Sequence, residues 1–119
     1  MLKRKIKIMQ IISIINQKGG VGKTTTVINL AAGLSKKGKK ILVVDLDPQG
    51  NATTGLGLSN TENSSETIYG VLNGNKLISE VIKKTEFDNL DLISSNVDLS
   101  GLEVETAGDS KRAFILKDQ

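Results

Sequence analysis

A chain of 119 residues, 38% hydrophobic and 24% charged, has material for one domain around one core, and with only 3% aromatics that core must be aliphatic. No cysteine or histidine occurs, which excludes a disulfide framework, a thiolate nucleophile, an imidazole base and a Cys/His metal site within this sequence, and points to a reducing cytosol. The net charge of +3 is unevenly spread: all ten lysines and arginines before Asp45 stand without an acidic residue among them, so the first third suits an anionic ligand.

Lys3, Arg4, Lys5 and Lys7 precede an Ile-rich run in the manner of a secretory leader. Lys7 and Gln10 interrupt the pattern, however, and no small-residue cleavage site follows. The basic start reads as a solvated tail, with contact to DNA as the alternative. No stretch approaches the roughly 18 apolar residues of a membrane span. From Met9 to Ile15 nearly every residue is apolar, which predicts a first strand buried on both faces, as central parallel strands are. A glycine-rich turn follows. Val27, Leu30, Ala31 and Leu34 then recur at helical spacing, and Lys36-Lys37-Gly38 marks the helix end. Ile41 to Val44 predicts the next strand, stopped by Asp45-Leu46-Asp47-Pro48. Strand, helix and strand make a βαβ unit whose parallel strands open their carboxyl ends on one edge, where ligands bind in open α/β sheets.

Beyond Gly50 the pattern weakens. Ser59 to Thr67 holds no apolar residue and reads as an exposed loop, and a short helix over 68–72 ends at Asn73-Gly74. Val81-Ile82 and Leu90 to Ile93 read as short strands, Leu99 to Glu105 as a helix, and Ser110 onward as the opening of another. There is no internal repeat and no linker, so 1–119 is one domain or part of one; the end at Gln119 inside a helical pattern predicts a truncation.

Gln17-Lys18-Gly19-Gly20-Val21-Gly22-Lys23-Thr24-Thr25 lies between first strand and first helix. Glycines let such a turn curl until its N–H groups meet phosphate oxygens, and the following helix presents its positive end to the same anion. Lys23 is placed for the β and γ phosphates and Thr24 for magnesium. Gln17 stands where the general pattern has its first glycine, and Lys18 is an additional cation; by spacing alone Lys18 is equally a solvated loop lysine. Asp45 and Asp47, two residues apart at the end of a strand, would face the same way on an extended chain, one to hold a magnesium-bound water and the other to orient the water that attacks the γ phosphate. The plainer alternative makes Asp47-Pro48-Gln49-Gly50 an ordinary turn.

Asn16 to Thr26 and Val44-Asp45-Leu46-Asp47-Pro48-Gln49-Gly50-Asn51-Ala52-Thr53 together resemble the deviant Walker A proteins, more narrowly the ParA/Soj partition ATPases. The resemblance implies an α/β P-loop NTPase fold, a parallel sheet with helices on both faces, of which this chain is the amino-terminal part, ending before the Walker B strand. It further implies ATP and Mg2+ bound by Lys18, Gly19, Gly20, Val21, Gly22, Lys23, Thr24 and Thr25, with Thr24 on the metal. Lys18 becomes the signature lysine that reaches the partner's nucleotide in an ATP-dependent homodimer, and Asp47 the residue that positions attacking water. Nonspecific DNA, a centromere-binding partner protein, a cytoplasmic, nucleoid-associated location and no membrane contact come with the family. With the Walker B strand missing, hydrolysis by this chain alone is not expected at a family-like rate. A septum-site regulator of the MinD kind and an inactive fragment, acting by nucleotide binding or by pairing with a full-length homologue, are the alternatives.

Overall fold

The computed structural model describes residues 8–15, 22–59 and 63–106. Helix α1, Lys23–Lys36, closes as its composition demands: Lys36 lies in the last turn, Lys37 N–H and Gly38 N–H donate to Leu34 and Ser35 carbonyls, and Gly38 takes a φ of 81°. The turn delivers the chain to β1, Ile41–Val44. A short helix α2, Asn51–Gly55, follows, then a single 3-10 turn, Ser64–Glu66, and helix α3, Ile68–Leu72. Helix α4, Ile78–Val81, runs directly into β2, Ile82–Lys84, which precedes β3, Leu90–Ile93, and helix α5, Leu99–Thr106.

The sheet has the order β1-β3-β2. β1 and β3 are parallel, with Ile41 opposite Leu90 and Val44 opposite Ile93; β2 joins β3 antiparallel, Ile82 opposite Ile93. Because side chains alternate along a strand, β3 feeds two cores. Leu90 and Leu92 pack with Val43, Leu56 and Ala31 on the α1 side, and Ile93 packs with Ile68, Val71, Val81 and Leu99 beneath α3 and α5. Helices therefore cover both faces, the α/β arrangement that the sequence predicts. Leu42 and Val44 point to the second face at the β1 end, where they remain 44% and 38% exposed.

Four features depart from the sequence reading. Met9 to Ile15 form no strand: the segment is irregular, with Met9, Ile11 and Ile15 more than four-fifths exposed and Ile12 62% exposed. A strand is held by cross-strand pairs, and β-branched composition alone does not hold one. β3 already has β1 and β2 on its two edges, and among the described residues nothing pairs with the free edge of β1. The βαβ unit is therefore represented by its helix and second strand, and the parallel partner of β1 is β3. Second, β2 makes the sheet mixed. Third, the stretch after Ser59 is not wholly an exposed loop: Thr67 is 1% exposed and caps α3, its hydroxyl oxygen accepting from Tyr69 N–H at 3.2 Å and donating to the Ser64 carbonyl at 2.7 Å. Fourth, Val81 ends α4 instead of opening a strand; Glu80 fixes that helix by accepting from Leu77 N–H at 2.7 Å. The helix expected from Ser110 lies outside the described residues.

Candidate functional site

Helix α1 begins with four of the residues singled out from the sequence. Gly22 is its N-cap, with φ 85°, and Lys23, Thr24 and Thr25 form the first turn. A φ of this sign is cheap for glycine and strained for other residues. Thr26 N–H donates to the Gly22 carbonyl at 2.9 Å, so the ladder starts there; no side chain caps the helix and no acidic residue lies in its first turn. The amides of the first turn are thus left for an external acceptor at the positive end of a 14-residue helix. Among the described residues, nothing lies within 4 Å of where a Gly22 Cβ would stand. Lys18, Gly19, Gly20 and Val21 lie outside the described residues.

Asp47 lies in the connection from β1 to α2, and the end of α2 packs on α1: a Cβ on Gly55 would stand 2.3 Å from Ile28 Cδ1 and 3.9 Å from Thr24 Cγ2. Asp47 shapes its own turn. Its carboxylate accepts from Gln49 N–H at 3.0 Å through Oδ1 and from Asn51 Nδ2 at 2.9 Å through Oδ2, while its carbonyl accepts from Gly50 N–H at 2.8 Å. The turn alternative is therefore realised, and the half-buried carboxylate still reaches solvent.

Asp45 does not join it as a second carboxylate on an open edge. The chain leaves the extended conformation after Val44, and Asp45 is 4% exposed. Its Oδ1 accepts from Asp47 N–H at 2.9 Å, and its Oδ2 accepts from Thr53 N–H at 2.9 Å and from Thr53 Oγ1 at 2.6 Å. A buried charge needs such partners, and three donors supply them. Thr53, fully buried, also accepts from Ser95 N–H at 3.0 Å. Sequence reasoning passed over Thr53 and Ser95. The available signal was a threonine at the third position of a helix, six residues after an Asp-Pro turn, but nothing local in the sequence names Ser95 as its neighbour. Among the described residues, no group of three or more acidic side chains forms a metal site, and no helix is long and apolar enough to cross a membrane.

The family model described as AAA domain matches residues 9–119. The chromosome partitioning protein ParA of Caulobacter vibrioides is 44% identical over 110 residues, which are 92% of this chain and 41% of the relative. Among solved structures, a cobyrinic acid a,c-diamide synthase from Mycobacterium smegmatis with bound ADP and magnesium superposes with a TM-score of 0.81 at 38% identity, covering 87% of this chain and 42% of its own. A putative plasmid partition protein from Borrelia burgdorferi bound to AMPPNP gives a TM-score of 0.71 at 35% identity, covering 85% and 42%. The chain thus spans about two-fifths of the length of the relatives it matches. On the match over 9–119 and the partition relatives that align along the same residues, the chain belongs to the AAA domain family, in its ParA/Soj branch of P-loop ATPases.

Proposed function

We propose that residues 1–119 are the amino-terminal, ATP-binding part of a single deviant Walker A ATPase domain that works as a dimerising switch in chromosome or plasmid partition. The observation that carries this reading is the uncapped, acid-free N-terminus of α1 behind Gly22, with Lys23 in its first turn. Such an end is built for a polyphosphate: the amides donate, the helix dipole favours the negative charge, and the lysine adds a mobile cation. Support from relatives is specific to the ligand, since one neighbour is described with ADP and magnesium and another with AMPPNP.

In this reading Lys18 to Thr25 hold the phosphates of ATP, and the Thr24 hydroxyl is a ligand of Mg2+. When bound, the magnesium ion neutralises charge on the β and γ phosphates. Asp47 orients the water that attacks the γ phosphate, and Lys18 contacts the nucleotide of the second subunit. Nonspecific DNA and a centromere-binding protein are the partners, and the cytoplasm, over the nucleoid, is the location. The Asp-x-Asp-Pro-Gln-Gly-Asn segment and the partition relatives favour this role over the amide-forming chemistry of the synthase neighbour.

Titration of a fluorescent ATP analogue with magnesium against the full-length protein and its Lys23→Ala variant tests the site. A charge-assisted phosphate contact is worth about 1.5–3 kcal/mol, so the variant is expected to bind at least about tenfold more weakly. Equal affinity in the variant removes the reading.

A further inference from the structure

The carboxylate of Asp45 spans the two ends of the segment that carries Asp47. One oxygen holds the Asp47 amide and the other holds both the amide and the hydroxyl of Thr53. Thr53 Oγ1 in turn accepts from the Ser95 amide at 3.0 Å, and the Asp45 amide donates to the Ile93 carbonyl at 3.0 Å. A loop running from the end of β1 into α2 is thereby tied at both ends to the chain that leaves β3. Asp45, Thr53 and Ser95 are all buried, so water does not compete for these bonds.

We propose that Asp45 and Thr53 are positioning residues: together they form a clasp that sets the Asp47 turn, and through it the orientation of the attacking water, without touching nucleotide. The inference rests on the proposed ATPase reading for its catalytic half; the clasp itself stands on the hydrogen bonds. Its logic is geometric. Asp47 spends its carboxylate bonds on Gln49 in its own turn and on Asn51 at the start of α2, so those bonds shape the turn but do not anchor it to the sheet. Anchoring falls to the Asp45 carboxylate, and among the described residues the Thr53 hydroxyl is the one side-chain group that both donates to that carboxylate and accepts from an amide beyond β3. Positioning errors of about 1 Å cost catalysis on the order of a hundredfold, so a loosened clasp should be read mainly in turnover.

Thr53→Val keeps the shape and removes the hydroxyl, whereas Thr53→Ser keeps the hydroxyl. In the full-length protein, amide hydrogen exchange at Asp47, Gln49 and Ser95 is expected to quicken at least tenfold in T53V and to stay within threefold of wild type in T53S. In the same variants kcat for ATP hydrolysis should fall at least tenfold in T53V and recover in T53S, with nucleotide Kd changed less than twofold in both. Unaltered exchange in T53V overturns the clasp, even if activity drops. Faster exchange with an unaltered kcat overturns the positioning role, and equal losses in kcat and affinity do the same by making the effect merely structural. A wild type that hydrolyses no ATP overturns the proposed ATPase function, and the exchange result then decides the clasp by itself. Should T53V fail to fold, Asp45→Asn, which retains one oxygen acceptor, carries the same two measurements with the same expected outcomes.

Discussion

Alanine at Gly70 and alanine at Gly33 are the same substitution in two helices, with opposite expected outcomes. A Cβ at Gly70 would stand 2.2 Å from the Ser65 carbonyl oxygen, 2.8 Å from its carbonyl carbon and 3.0 Å from its Cα. All three are backbone atoms, so no rotamer change relieves the overlap. Ser65 is held by Asn63, whose Oδ1 accepts from the Ser65 amide at 3.1 Å and from its hydroxyl at 3.0 Å, and the Gly70 carbonyl accepts from the Asn75 and Lys76 amides at 3.0 and 2.9 Å. Overpacking of this sort costs about 1–3 kcal/mol, against roughly 0.5–1 kcal/mol gained from replacing a helical glycine. An overlap with fixed backbone belongs to the upper part of that cost, about 2–3 kcal/mol, so the balance for Gly70→Ala is a loss of about 1–2.5 kcal/mol. At Gly33, exposed at the start of the last turn of α1, nothing among the described residues lies within 4 Å of the new Cβ, so the propensity gain stands alone and stability should rise by up to about 0.5–1 kcal/mol. Urea denaturation with a shared m-value measures both, and the difference in midpoint decides the sign. A G70A variant as stable as wild type would refute the reasoning, because it would mean that the 3-10 turn and α3 do not approach as closely as 2.2 Å implies.

Asp47→Ala is expected to leave ATP binding within about threefold and to slow phosphate release at least tenfold in the full-length protein; unchanged turnover would make the Asp-Pro turn structural only. Lys18→Ala is expected to abolish ATP-dependent dimers in light scattering while nucleotide still binds each subunit, and normal dimerisation would return Lys18 to the solvated lysines. Ser95 Oγ is buried without a hydrogen-bond partner among the described residues, so Ser95→Ala, which keeps the amide that bonds Thr53, should be neutral or stabilise by up to about 1 kcal/mol; a loss of stability would reveal a partner for that hydroxyl. Burial holds the Lys83 ammonium below the usual lysine pKa, so the unfolded chain binds more protons than the folded one as pH rises toward 10.5. Stability of wild type relative to Lys83→Met should therefore increase with alkaline pH in that window, and a flat difference would count against the burial effect.

Where the physics is local, the sequence alone was sufficient. Lysines and Gly38 end α1, the β-branched run 41–44 and the 90–93 run make strands, Asn73-Gly74 ends α3, and Gly22 at the end of the glycine run opens α1 at Lys23. These signals are set by neighbours within a few residues, through φ preferences, helix dipoles and side-chain periodicity. The state of Met9 to Ile15 was not determined this way, because a strand exists only when another strand takes its backbone groups, and composition does not say whether one is present. The two aspartates show the same division within three residues. Spacing suggested two carboxylates facing the same way, but which one is buried depends on Thr53, eight residues on, and Thr53 depends on Ser95, 42 residues further along. Only the packing of α2 against the end of β3 brings those three together, so one carboxylate is buried among donors while its half-buried neighbour bonds within its own turn and reaches solvent.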